Sequence, residues 1–338
     1  MISNPKRKFF LTVVMLLGLL ANTANASEKI RVGALRFTSH AASFVAYERG
    51  YFKKEGLDVE FKFFKAAQPM AIAIASGDVD FGVTAISGGL INLAGKGAIK
   101  VIGGALHEEK GIDGQMILAS KKAFDSGLKT PADLKGHSFG ITQTGSSFHY
   151  MAHKIAQKED FKTSDIKLKP LQKVGAIIGA LKSGQIDAWA IVPHIAKALA
   201  KSHKVEIIGR ISDYIPDYQV TTIFTSSKIA KNRPQLVKSF IKAYSEGADD
   251  FNAALVDKTA GAKAADDMIK LIHKYVYSSK PYAKAAPSIR NGAMRINKNA
   301  KLDMKSIKDQ LDWFKAEGLV KKNITMGMLV DTQYVDTY

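Results

Sequence analysis

The chain has 338 residues, no cysteine and a formal net charge of +18, from 49 Lys and Arg against 31 Asp and Glu. The lack of cysteine excludes disulfides, thiolate metal sites and a cysteine nucleophile. The basic residues are scattered, with no run of five and no aromatic stacking motif among them, so a solvated basic surface is expected and no nucleic-acid groove. At the start, Lys6, Arg7 and Lys8 precede an apolar run from Phe9 to Leu20, and Ala24-Asn25-Ala26 forms a small-x-small cleavage pattern. That run is too short to cross a bilayer comfortably, so residues 1–26 read as a cleaved signal peptide. No cysteine stands at the cleavage site to take a lipid, which points to the periplasm. The remainder exceeds one ordinary domain and predicts two.

Beyond Ala26, Ile30, Val32 and Ala34 alternate with Arg31 and Gly33, the period of a strand. A polar loop, 36–40, and a helix over 42–51 follow, closed at Gly56. Val59, Phe61 and Phe63 alternate as a second strand. Met70–Ala75 is a short helix stopped by Ser76-Gly77. A third strand covers 80–85, a helix starts at Ser87-Gly88, and a fourth strand covers 100–104. Such alternation predicts βαβ units and a mainly parallel sheet.

The same grammar restarts at 115–120. A turn at 130–136 puts Pro131 where a first helical residue needs no N–H. A strand over 137–142 then meets a small-residue run, Thr144-Gly145-Ser146-Ser147, that opens a helix. Strands at 166–171, 187–192 and 205–209 follow, the first two separated by a helix over 175–184. The stretches IASGDVDFGV (74–83) and LKSGQIDAWAI (181–191) share one pattern. From 221–226 onward the character changes and the chain turns helical, at 234–250, 262–277 and 304–314. In the last, Met304, Ile307, Leu311 and Phe314 recur at helical spacing, as core packing does, and Gly318 stops it.

The segments ERGYFKKEGLDVEF (48–61), AIASGDVDFGVTA (73–85), LKTPADLKGHSFGI (128–141) and LKSGQIDAWAI (181–191) resemble periplasmic solute-binding proteins of ABC importers. The subgroup is the one serving nitrate, sulfonates, taurine and thiamine-pyrimidine precursors. The resemblance implies an α/β, two-lobed periplasmic binding protein of type II. Each lobe would be a mainly parallel sheet with flanking helices, and the ligand cleft would lie between lobes. Lobe one would be 28–115 plus 222–338 and lobe two 116–221, with crossings near 113–116 and 220–223. It implies a monomer without cofactor and without enzymatic activity, delivering a small organic anion (a sulfonate, taurine-like or an aromatic carboxylate) to an inner-membrane permease and its ATPase. The alternatives are a neutral thiamine-pyrimidine precursor as ligand, or a pyrimidine-processing enzyme on the same fold.

Ligands of open parallel sheets lie beyond the carboxyl ends of strands, against helix N-termini whose first N–H groups are free and whose dipole is positive. Thr144, Gly145, Ser146 and Ser147 hold that position in lobe two, where family members similarly use a Gly/Ser turn for an oxyanion; plain helix capping is the other reading. In lobe one, Thr38, Ser39 and His40 follow the first strand, and Thr84 and Ser87 follow the third. Phe37 is a pocket wall or core, and Arg36 a cleft cation or a solvated charge. His194 follows a lobe-two strand and is expected to face the cleft, whereas Trp189 reads as packing. Val192 replaces the aromatic or acidic residue common in relatives. Asp213 and Tyr214 lie before the return crossing, as closing side chains or plain loop. His149 and His153 have zinc-like spacing but no third ligand, so no metal is expected.

Overall fold

A computed structural model describes residues 27–338. The signal peptide predicted at 1–26 lies outside the described residues. Ten strands form: β1 (Glu28–Ala34), β2 (Leu57–Phe63), β3 (Phe81–Ala85), β4 (Ile99–Gly104), β5 (Met116–Ser120), β6 (Ser138–Ile141), β7 (Lys167–Pro170), β8 (Ala188–Ile191), β9 (Val205–Arg210) and β10 (Thr221–Ser226). The sequence pattern foretold all of them except β10.

They make two five-stranded sheets, ordered β2-β1-β3-β10-β4 and β7-β6-β8-β5-β9. The two orders are the same plan. In each, one strand runs against the other four: β10 pairs antiparallel with β3 and β4, and β5 with β8 and β9. The reversed strand is the one entered from the other lobe, so the chain crosses twice between lobes.

The longer helices are α1 (Ala41–Glu48), α2 (Ala67–Ser76), α3 (Gly88–Gly95), α4 (Ser147–Lys158), α5 (Val174–Ser183), α6 (Pro193–Ala200), α7 (Pro234–Phe251), α8 (Gly261–His273), α9 (Tyr282–Arg290) and α10 (Met304–Ala316). Gly77 and Gly184 close α2 and α5 in the left-handed conformation, which glycine adopts without a Cβ penalty. Ile307, Leu311 and Phe314 of α10 are buried, as the stripe predicted. The same helix also reaches lobe two. Trp313 meets the rings of His149, Tyr150 and His153 of α4 at 5.1, 5.3 and 5.5 Å between centroids, and Lys154 pairs with Asp309 at 2.7 Å. One expectation fails: the helix predicted to run to Tyr277 ends at His273. Tyr277 then takes a left-handed backbone (φ 58°), and its hydroxyl donates to the His194 carbonyl oxygen at 3.2 Å.

The two crossing segments pair with one another. Val220 N donates to Leu106 O at 2.9 Å and Glu108 N to Tyr218 O at 2.9 Å. Glu108 is 1% exposed; one carboxylate oxygen accepts from Gln115 N at 3.0 Å and the other has no partner. Burial pushes its pKa up to about 7, against the hydrogen bonds from Gln115. A carboxyl whose folded pKa is raised favours folding at low pH, and that contribution is lost as pH rises from about 4.5 to about 7. Glu108→Gln is therefore expected to raise stability at pH 8 by on the order of 2–3 kcal/mol and to change it little at pH 4. Urea unfolding of both proteins at the two pH values checks this; an equal effect at both would assign the change to packing.

Candidate ligand-binding site

The carboxyl ends of β1, β3, β6 and β8 face one another across the lobes, and a small inner chamber lies between them. Its walls come from Leu35, Phe37, Ser39 and His40 after β1, Ala66 and Ala67 at the start of α2, and Thr84 and Ala85 of β3. Lobe two contributes Thr142, Ser146, Ser147 and Phe148 before and in α4, Val174 of α5, and Ile191 and Val192 after β8. Leu106, Gln115, Val220 and Thr221 of the crossing region line the floor. Not one of these side chains carries a formal charge at neutral pH.

His40 is the one titratable group on that wall, and it is neutral. Its Nε2 lies 2.8 Å from the Val83 carbonyl oxygen, so that nitrogen carries the proton, and Ser39 Oγ lies 3.3 Å from Nδ1. Burial pushes the imidazole down to about 4 despite the Val83 bond.

Beside neutral side chains such as Ser39, Thr84, Ser147 and Gln115, the chamber is faced by backbone donors. Ser87 caps α3 by accepting from Leu90 N at 3.2 Å, and Asp303 caps α10 by accepting from Ser306 N at 2.8 Å. The helices that open on the chamber have no such cap. At α2 the capping position is Ala66, which has no side-chain acceptor. At α4 it is Ser146, whose Oγ is buried and bonded to nothing. The N–H groups of Ala67 and Gln68 at α2, and of Ser147 and Phe148 at α4, thus have no acceptor among the described residues. Two partly positive helix ends face one cavity. At α5 the capping residue, Lys173, also provides no cap, and Val174 N reaches Lys65 O across the lobes at 3.5 Å.

The residues expected from sequence divide. Ser39, His40, Thr84, Ser146 and Ser147 line the inner chamber. His194 lines an outer chamber beside it. Thr38 is buried off the wall, and Ser87 is occupied with its cap and with Gln68 Oε1 at 3.2 Å. Thr144 is exposed, and Asp213 stands on a separate surface groove with Arg210 and Asp113. Tyr214 bonds Glu159 at 2.6 Å, and Trp189 is buried packing.

Gly145 sits against the opposite lobe and off the chamber wall. It accepts from Gly88 N at 2.9 Å, and a Cβ there would meet Phe314 at 3.7 Å and Gly88 at 3.8 Å. The space is adequate, but φ is +75°. Gly145→Val is therefore expected to destabilise by about 1–2 kcal/mol through backbone strain, whereas Gly145→Asn, which tolerates this conformation, loses less than half of that. Thermal unfolding of the two variants checks the order; equal losses would point to a steric cause.

Sequence reasoning missed Ala66 and Ala67, since alanine has no functional group to flag, and it missed Gln115 and Thr221 in the crossings. It also missed the outer chamber. Leu35, Phe37 and Val174 form a neck shared by both cavities. Beyond it lie Phe63, Phe64 and Tyr277 together with Arg36, Lys65, Lys173, Lys182 and Lys280. The inner chamber holds about 60 Å³ and the outer about 720 Å³. Among the described residues no group of three or more His, Asp or Glu is placed to hold a metal ion, and no helix is long and apolar enough to cross a membrane.

Residues 37–254 match the family described as NMT1/THI5 like. A Brucella abortus protein named as a binding protein of unstated ligand is 28% identical over 255 residues, 74% of this chain and 75% of its own. An alkanesulfonate-binding protein, SsuA, from Xanthomonas axonopodis pv. citri, solved with MOPS bound, superposes with a TM-score of 0.70 at 19% identity, covering 90% of this chain and 98% of that one. A ligand-binding component of an ABC-type import system from Staphylococcus aureus, solved with zinc bound, gives 0.69 at 15% identity, covering 91% and 97%. The fold is thus that of periplasmic binding proteins, as the sequence segments implied.

Proposed function

The chain belongs to the NMT1/THI5-like family, and we propose that it is a periplasmic solute receptor that delivers a small organic anion to an ABC importer. The observation that carries this reading is the pair of uncapped helix starts, at Ala67 and at Ser147-Phe148, that line one cavity with no carboxylate in it. Such groups are the ordinary protein partner of sulfonate and carboxylate oxygens. A sulfonate or carboxylate head would sit in the inner chamber against the four N–H groups and the hydroxyls of Ser39, Thr84, Ser146 and Ser147. Helix ends contribute up to about 2 kcal/mol each to a partly buried charge, so affinity in the micromolar range needs no buried cation.

The lobes touch on either side of the cavity, through Gly88–Gly145 and through Tyr277–His194. An anion bound to N–H groups from both lobes prefers this closed arrangement, and that preference is what a permease would read. The predicted signal peptide at 1–26 supports delivery to the periplasm, where the chain would act as a monomer.

The enzymatic alternative would need a base, and the Ser39–His40 couple is the nearest to one. Its imidazole, held at about 4, is too weak to draw a proton from serine at neutral pH. Titration calorimetry with short alkanesulfonates and aromatic carboxylates, beside a neutral aminopyrimidine, tests the reading, with chromatography of the recovered ligand. Saturable binding of an anion recovered unchanged is expected. Tight binding of the neutral pyrimidine alone, or conversion of ligand to product, would overturn it.

A further inference from the structure

We propose that the ligand is an elongated dianion, with one anionic group in the inner chamber and a second one, at the far end of the molecule, held in the outer chamber by Lys173, Lys182 and Lys280. This rests on the anion reading above and extends it to the substrate class.

The inner chamber, at about 60 Å³, has room for a head group and little else, while the outer one is an order of magnitude larger and joined to it through Leu35, Phe37 and Val174. A ligand seated in the first must extend into the second. The neck and the walls beyond it are apolar and aromatic, through Phe37, Phe63, Phe64 and Tyr277, and fit a hydrocarbon or aromatic frame. Every charged side chain on the outer wall is a cation. None of these five cations forms an ion pair among the described residues, although twenty-one pairs form elsewhere. Arg36 is engaged, its guanidinium 3.7 Å from the Phe63 ring centroid and its Nη1 donating to Tyr275 O at 3.2 Å. The ammonium groups of Lys65, Lys173 and Lys182 have no hydrogen-bond partner among the described residues, and that of Lys280 lies over the Tyr277 ring at 4.3 Å.

A second observation comes from His194 on the same wall. It is 1% exposed, yet neither ring nitrogen has a partner. Its ring meets Phe37 at 5.5 Å and Tyr277 at 6.0 Å, between the neck and the lysines. The edge of the ring borders a ligand frame there, while its nitrogens are enclosed by protein. Unpaired cations at one end and free N–H groups at the other, joined by an apolar neck, describe a ligand with charge at both ends.

The test is calorimetry with a length series of ω-sulfoalkanoates, each beside the ω-sulfoalkanamide of equal length and the plain alkanesulfonate. The amide keeps the shape and removes the distal charge. At one length the carboxylate should bind about tenfold more tightly than its amide. In the Lys173→Gln/Lys182→Gln/Lys280→Gln triple variant that ratio should fall below about twofold. The amide carries one charge fewer, so long-range attraction to the basic protein also favours the carboxylate; the loss of the ratio in the triple variant, with its dependence on length, is therefore the readout. A ratio near one at every length, with alkanesulfonates still bound, overturns the dianion and leaves the anion receptor standing. A ratio that survives in the triple variant overturns the lysine assignment. Failure of every sulfonate, and of the aromatic carboxylates as well, to bind overturns both readings together.

Discussion

Replacing Ser147 by proline is expected to weaken anion binding by about ten- to a hundredfold and to leave the unfolding temperature close to that of the wild type. Ser147 is the first residue of α4, a position where proline's missing N–H breaks no intrahelical bond and its fixed φ suits the helix. The preceding residue must be extended for proline to follow, and Ser146 already is, at φ −82° and ψ 166°. The substitution thus deletes the Ser147 N–H, and its hydroxyl with it, from the chamber with little cost to the fold. A hydrogen bond to a charged acceptor contributes about 1.5–3 kcal/mol, which sets the expected loss. Ser147→Ala separates the hydroxyl from the N–H and should lose less. Calorimetry and thermal unfolding on the two variants decide the matter. Unchanged affinity in the proline variant would mean that the α4 terminus holds no ligand.

The second large effect is on acid stability. His40 and His194 are both buried, and burial pushes their pKa values down to about 4 and about 3, with the proximity of His40 adding to the effect on His194. In the unfolded chain each titrates near 6.5. Below that value the unfolded state takes up protons that the folded state refuses. The stabilisation is therefore complete above about pH 6.5 and is lost as pH falls toward 4. Together the two histidines are expected to remove on the order of 5 kcal/mol between pH 7 and pH 4.5, against a total stability of about 5–15 kcal/mol for an ordinary domain. Glu108 works in the opposite direction over much of the same range, so the loss should steepen in Glu108→Gln. His194→Phe keeps the aromatic contacts with Phe37 and Tyr277 and removes two unsatisfied nitrogens. It should reduce the loss on the acid limb by on the order of 2–3 kcal/mol and raise stability at pH 7 by about 1–3 kcal/mol. Urea unfolding across this pH range measures both; an acid limb unchanged in the variant would contradict the account.

The strands were legible because a half-buried strand writes its two faces into alternate residues, as Ile30, Val32 and Ala34 do in β1. Helix stops at Gly77 and Gly184 were legible because left-handed closure selects glycine. The site was legible only in part. Ser87 and Ser146 look alike in sequence, each a serine before a helix after a strand. In the folded chain Ser87 caps its own helix and Ser146 caps nothing, a difference that depends on how each loop packs. Ala66 and Ala67 present a free helix end with no side chain to announce it. The outer chamber draws Lys65, Lys173, Lys182 and Lys280 from four loops and helices, and only the closed arrangement of the lobes brings them together.

The most direct test of the account is the amide spectrum of the isotope-labelled protein, recorded free and saturated with a short alkanesulfonate. The N–H resonances of Ala67, Gln68, Ser147 and Phe148 should move downfield together with one affinity, those of α2 and α4 alike, as free donors acquire anionic acceptors. Saturable binding with these four unmoved, and the changes confined to the outer chamber or the surface, would contradict it.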